Sequence, residues 1–195
     1  NAPVLTCSGF STVDAELMAR GFLELRKIRP DVLLLMTGGR IPAFEAAIRK
    51  AGAAQSVLHL GTLPYEKLGE ALACGDVMWQ PYGDAPVDLA RFPNRFGEYI
   101  AAGRPIATNP GGDHSVIVQA EDIGVVTPVE PQATAEGIAA LLDDPVRCAR
   151  MGAHARELAV TRFSWRTIAA QAAELYEELL LDQSDTRGRP AARRL

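Results

Sequence analysis

One alternation constrains this chain more than any other feature. Six short apolar runs, 4–7, 32–37, 56–60, 77–80, 105–108 and 123–127, are rich in Val, Ile, Leu and Met and lie close to turn residues. Amphipathic stretches at helical spacing occupy 14–28, 41–52, 64–74, 94–102, 113–120 and 131–142. A strand covered on both faces reads as a continuous apolar run, whereas a helix lying on a sheet shows only a stripe. Strands separated by single helices cross over right-handed and lie parallel in one sheet. The pattern predicts an α/β fold: a doubly wound, Rossmann-like parallel sheet of about six strands with extra C-terminal helices.

Punctuation residues agree with this pattern. Gly38-Gly39 ends the second run, and Gly52 stands where a left-handed residue would end the second helix. Pro64 and Pro131 suit first helical turns, where a missing N–H costs nothing, and Pro145 restarts a helix after Asp143-Asp144. From 145 to about 182 the chain reads as almost all helix. Ser164 can cap its last part, 164–182, in which Trp165, Ile168, Ala172, Leu175, Tyr176 and Leu179 form an apolar stripe. Residues 1–183 therefore read as one domain. The remainder, 184–195, carries Arg187, Arg189, Arg193 and Arg194 without apolar periodicity. It reads as a disordered basic tail or as a weak contact with anionic lipid.

Bulk composition narrows the class of partner. The chain has 195 residues, a length that suits one domain, and its net charge of −4 leaves no basic stripe for nucleic acid. Cys7, Cys74 and Cys148 are odd in number and far apart, and His59, His114 and His154 show no metal spacing. Neither a disulfide framework nor a metal site is expected, and the cysteines read as reduced thiols of a cytoplasmic protein. No apolar run of about 18 residues could cross a bilayer. Asn1-Ala2-Pro3 leads straight into the first run without a methionine, so the chain reads as a fragment of a longer protein.

In an open parallel sheet, ligands bind beyond the carboxyl ends of the strands. That selects the loops 8–13, 37–40, 61–64, 81–93 and 109–114, dense in Gly, Pro, Ser, Asp and Asn. Gly38-Gly39 and Gly111-Gly112 either let backbone approach a ligand or simply make tight turns. The most informative stretch runs from Arg91 to Ile106. Pro93 opens a helix, leaving the N–H groups of Asn94, Arg95 and Phe96 free to point at an anion. One turn later, Glu98 either accepts two hydrogen bonds from a ribose diol or is a surface charge favouring the helix N-terminus. Gly103 ends this helix and Pro105 starts the next strand.

Pro93-Asn94-Arg95-x-x-Glu98-Tyr99-x-Ala101-x-Gly103-x-Pro105 resembles the donor-site signature of group 1, family four, retaining glycosyltransferases of GT-B fold. Other segments resemble that family in the right order: Leu60-Gly61-Thr62-Leu63-Pro64, Cys74-Gly75-Asp76-Val77-Met78-Trp79-Gln80-Pro81-Tyr82, Pro110-Gly111-Gly112 and Gly124-Val125-Val126-Thr127-Pro128. Asp143-Asp144-Pro145, Met151-Gly152, Ala155-Arg156 and Phe163-Ser164-Trp165 match its closing helices, so the likeness runs from about residue 4 to 180. The family has two facing Rossmann-like domains, and this chain resembles the C-terminal one, which binds the nucleotide-sugar.

The resemblance implies a hexosyltransfer that retains anomeric configuration and needs no cofactor or bound metal. A nucleoside-diphosphate sugar would be the donor. The N-terminal domain of the same protein would bring the acceptor and the catalytic groups. Glu98 would bind ribose, and Gly61, Leu63 and Tyr82 would frame the base. Asn94, Arg95 and Phe96 would take the diphosphate, with Gly9, Gly111 and Gly112 letting backbone come close. The final helix resembles the one that crosses back to the first domain. The expected location is cytoplasmic, or peripheral at the inner face of the membrane where the basic tail meets lipid.

Two departures from the family stand out. Its usual Arg and Lys after the first strand are missing from Ser8-Gly9-Phe10-Ser11-Thr12-Val13-Asp14, and its second glutamate, eight residues before Glu98, is Ala90. Arg95, with Arg91 and Arg40 behind it, is the candidate to meet the phosphate charge; the other reading of Arg95 is a solvated side chain. The departures favour one alternative, a non-catalytic nucleotide-sugar-binding module; the shared architecture leaves another, a nucleotide-sugar epimerase, which the Pro-Asn-Arg to Gly-x-Pro series fits less well.

Overall fold

The computed structural model describes residues 2–9 and 15–187, with side chains as far as Leu181. Strands β1 (Val4–Ser8), β2 (Leu33–Thr37), β3 (Val57–His59), β4 (Val77–Gln80), β5 (Ile106–Thr108) and β6 (Gly124–Val126) form one sheet in the order β3-β2-β1-β4-β5-β6. Every strand pair is parallel. This is the expected doubly wound sheet, built from two halves that diverge between β1 and β4. The run 56–60 yields only three strand residues because Ser56 still belongs to a 3-10 turn.

Helices cover both faces. α1 (Ala15–Ile28), α2 (Pro42–Lys50) and α7 (Pro131–Leu142) lie on one, where Phe22, Phe44 and Ile138 pack with Leu34, Val77 and Trp79. α3 (Tyr65–Ala73), α5 (Asn94–Ala102), α6 (Gly112–Ala120) and α8 (Pro145–Thr161) lie on the other, where Leu72, Phe96, Ile100 and Leu158 pack with Met78 and Ile106. Val77 and Trp79 face one layer and Met78 the other, as the period of two in a strand requires. Full burial of each such side chain contributes about 1.5–3 kcal/mol.

One helix was not expected from the sequence. α4 (Pro86–Leu89) turns the middle of the 81–93 loop into a short helical strap. Four residues are too few for a 3.6-residue period to show, so only Pro86 at its first turn marked it. A smaller correction concerns Pro64, which sits at the cap of α3, one residue ahead of its first turn.

α5 is held at its far end. Gly103 closes it with a left-handed φ of 68°. A Cβ on Gly152 of α8 would collide with the Gly103 carbonyl, so two glycines let α8 press against the end of α5. Ser164 Oγ accepts from Thr167 N–H (3.1 Å) and caps α9 (Trp165–Arg187) as expected. α9 is longer than its apolar stripe, so Ser184 to Arg187, expected in the tail, are helical. Adding a residue to an existing helix costs little. Residues 188–195, with Arg189, Arg193 and Arg194, lie outside the described residues. The stripe of α9 faces solvent, with Trp165 82% and Tyr176 68% exposed. Among the described residues no helix is long and apolar enough to cross a membrane.

Candidate functional site

β1 and β4 are neighbours, and the helices that follow them leave on opposite faces of the sheet. A crevice must open above their carboxyl ends. A cleft of about 550 Å³ lies there, with Gly9, Gly38 and Gln80 on its floor and Arg95 and Glu98 from α5 above them.

Hydrogen bonds stitch the floor together. Gly9 N–H donates to Thr37 O (2.9 Å), and Gly38 N–H donates to Gly61 O (2.8 Å), which ties the ends of β1 and β2 to the loop after β3. Ser8 N–H donates to Tyr99 Oη (2.7 Å), which anchors β1 to α5. Thr37 Oγ1 donates to Ser8 Oγ (2.9 Å). Burial pushes the Tyr99 phenol well above its usual range, so it stays a neutral anchor. The tight path needs glycine: φ is +60° at Gly9 and +106° at Gly38, and a Cβ on Gly38 would stand 2.9 Å from Gly9 Cα.

Of the residues singled out in the sequence, Glu98, Arg95, Asn94, Leu63, Tyr82 and Gly9 line this cleft. Glu98 is half-buried, and burial raises its carboxyl pKa while the nearby Arg95 cation pulls it back down. Tyr82 is held from several sides. Its N–H donates to Asn109 Oδ1 (3.1 Å), its hydroxyl accepts from Gln80 Nε2 (3.2 Å), and the Arg91 guanidinium stands 4.4 Å over its ring.

The other four do not line it. Phe96 N–H donates back to Pro93 O (3.0 Å), and its ring is fully buried edge-on to Phe92 and Phe163. The free amides expected at this helix start are therefore those of Asn94 and Arg95 only. Gly61 acts through its carbonyl, which accepts from the N–H of the cleft-lining Gly38. Gly111 N–H donates to Ser115 Oγ (3.1 Å), and a Cβ there would lie 3.1 Å from Asp88 O. A Cβ on Gly112 would collide with the Arg91 carbonyl. The close approach that these two glycines permit is thus taken by the protein's own strap.

Asp88 and Asn109 were not among the expected site residues. Asp88 is buried, forms an ion pair with Arg91 (Nη2 to Oδ1, 2.8 Å) and accepts from Gly83 N–H (3.3 Å), so it clasps the strap. Asn109 Nδ2 donates to Pro128 O (3.0 Å) and Thr127 O (3.1 Å), joining the ends of β4, β5 and β6. Only their place in ligand-facing loops hinted at them.

His114 is buried between Tyr82 and Phe96. Its Nε2 lies 3.3 Å from Thr108 Oγ1, whose proton is given to Gln80 O (2.8 Å), so Nε2 carries the hydrogen and Nδ1 is a buried acceptor without a partner. Burial, and then the Arg91 cation, hold its pKa down at about 4 against the usual 6.5. Between those values the unfolded chain takes up a proton here and the folded chain does not. Stability is then complete above pH 6.5 and falls as the pH drops to about 4, by about 3 kcal/mol. Urea unfolding at pH 7 and pH 4.5 tests this. The loss on acidification should be smaller in His114→Leu than in the unsubstituted chain, and equal losses would show that His114 is not responsible.

Comparison with known proteins gives both the family and the fold. Residues 14–158 match the family described as glycosyl transferases group 1. The chain is 31% identical over 166 residues to the GDP-mannose-dependent alpha-(1-6)-phosphatidylinositol monomannoside mannosyltransferase of Mycolicibacterium smegmatis, covering 82% of this chain and 43% of that protein. Sucrose-phosphate synthase from Thermosynechococcus elongatus superposes with a TM-score of 0.78 at 22% identity, over 93% of this chain and 46% of that one. Anabaena HepE, solved in complex with UDP and glucose, superposes with a TM-score of 0.74 at 21% identity, over 89% of this chain and 48% of that one. The chain thus spans less than half the length of each of these proteins.

Proposed function

Because the chain belongs to the group 1 glycosyl transferases, we propose that it is the donor-binding, C-terminal half of an enzyme that moves a hexose from a nucleoside-diphosphate sugar to an acceptor. One observation carries this reading. A single helix start presents Arg95 and Glu98 to one cleft at the divergence point of the sheet. A nucleoside diphosphate has the matching pair of groups, an anion beside a vicinal diol. Glu98 receives the diol and the start of α5 receives the diphosphate. Leu63 and Tyr82 frame the base. Protein groups meet the leaving diphosphate in place of a bound metal, and transfer retains anomeric configuration, as the resemblance to the family implies. The acceptor and the remaining catalytic groups come from the N-terminal half, against which the exposed stripe of α9 packs. Any membrane contact runs through Arg189, Arg193 and Arg194. The donor named for the Mycolicibacterium relative and the UDP in the HepE structure support a nucleotide-sugar.

A second reading, binding without transfer, is favoured by the strap. Ala90 stands where the family has a glutamate, and the neighbouring Asp88 is already held by Arg91. Donor hydrolysis by the full-length protein separates the two readings.

A thermal-shift screen against UDP, GDP, ADP, TDP and their sugars tests donor binding. A ligand at about 100 times its dissociation constant adds about 2.7 kcal/mol, which for a domain of this size raises the midpoint by about 5–10 °C. One base should stand out. A folded sample that responds to none of them would defeat the reading.

A further inference from the structure

A diphosphate needs a cation, and the segment that follows β1, Ser8-Gly9-Phe10-Ser11-Thr12-Val13-Asp14, contains none. Two arginines line the cleft. Arg91 is already engaged, by Asp88 at 2.8 Å and by the Tyr82 ring at 4.4 Å. Arg95 is in no ion pair among the described residues. Its guanidinium reaches from the first turn of α5 to the end of β1. There Nη2, Cζ and Nε fill the space that a Cβ on residue 9 would take. Gly38 supports the same spot from below, with a Cβ position only 2.9 Å from Gly9 Cα.

We propose that Gly9 is a positioning residue: its missing side chain seats the Arg95 guanidinium at the end of β1, where it meets the donor diphosphate in place of a cation on the β1 loop. This rests on the donor-binding reading above. It also gives a half-buried arginine that is in no ion pair among the described residues a place to rest: the seat is made of backbone, and the planar fork is left for the anion. Glycine is needed at position 9 twice over, for a φ of +60° and for the empty volume above it.

The two needs can be separated. Asparagine tolerates positive φ better than other residues with a side chain, so Gly9→Asn keeps the backbone path while filling the seat. Calorimetric titration with a nucleoside diphosphate and with the matching nucleoside reads the effect. Arg95→Ala should weaken diphosphate binding by about tenfold to a hundredfold and leave the nucleoside unchanged. Gly9→Asn should show the same selective loss, and the double variant should bind no worse than either single one. Arg95→Lys, which keeps the charge and loses the fork, should recover part of the affinity. The double variant should also melt higher than Gly9→Asn alone, because removing the guanidinium empties the seat. That rescue is readable even if Gly9→Asn by itself does not fold. Losses that sum in the double variant, or that fall equally on nucleoside and diphosphate, would show that Gly9 shapes the loop rather than the arginine. Unchanged diphosphate affinity in Arg95→Ala would overturn the inference and leave the donor reading standing. Failure of the unsubstituted chain to bind either ligand would remove both.

Discussion

Glu98→Ala should lower nucleotide affinity by about a hundredfold or more. A carboxylate accepting from both ribose hydroxyls makes two charge-assisted hydrogen bonds, each contributing about 1.5–3 kcal/mol. The loss should depend on the sugar edge of the ligand: a deoxynucleotide that offers one hydroxyl should bind the unsubstituted chain more weakly and lose less on substitution. Calorimetry with paired ribo- and deoxyribonucleotides measures this, and equal affinities for the pair would remove Glu98 from the ribose site. Acid should mimic the substitution. Only the ionised carboxylate accepts both bonds, so affinity is complete above the Glu98 pKa and falls as the pH drops through it. Burial raises that pKa, so the fall begins at a higher pH than an ordinary glutamate would give. Glu98→Gln should bind with intermediate affinity, without this pH dependence. Without ligand the preference should be reversed, because half-burial of the carboxylate costs stability and the nearby Arg95 cation offsets only part of that cost. Glu98→Gln should therefore melt no lower than the unsubstituted chain at neutral pH while binding donor less well.

The largest loss of stability is expected from Trp79→Ala, about 3–5 kcal/mol. Trp79 is 1% exposed and sits at the end of β4, between the sheet and α1. A Cβ on Gly21 would lie 3.4 Å from the Trp79 ring, so a glycine in α1 leaves room for the indole. α1 and α7 both pack on the layer that contains the ring, and neither backbone can close a void of that size. Trp79→Phe should cost clearly less. It keeps most of the contact area and removes an indole N–H that is buried without a partner. Chemical unfolding gives the difference, and fluorescence adds a check. The other tryptophan, Trp165, is 82% exposed, so Trp79→Ala should leave only solvent-exposed emission. Equal costs for Ala and Phe would mean that shape at this site matters less than the packing suggests.

Much of the fold was legible because the signals that carry it are local. The runs 77–80 and 105–108 are apolar up to Gln80 and Thr108 at their carboxyl ends because helices cover both faces of β4 and β5. Gly103 and Pro105 mark the end of α5 and the entry to β5 as clearly in the sequence as in three dimensions. Glu98 and Arg95 were legible as candidates because three residues on a helix span about one turn and bring two side chains to one side. α4 was not legible, since a single turn has no period. Nor was the neutrality of His114, which is set by Tyr82, Phe96 and Arg91 from other elements.

Periodicity in the chain by itself determined the number of strands, their parallel sense and the extent of the helix that borders the cleft. Those follow from which residues must leave water, and each residue's polarity is printed in the sequence. Only the tertiary structure decided the pairings among polar groups. It set Arg91 against Asp88 and Tyr82, Arg95 on Gly9, and Gly111 and Gly112 under the strap rather than in the cleft. Burial of apolar surface is non-directional and can be met by many partners, so it leaves a pattern along the chain. A hydrogen bond, an ion pair or the absence of one Cβ matters only within a few ångströms, and the right-handed crossovers bring distant residues that close.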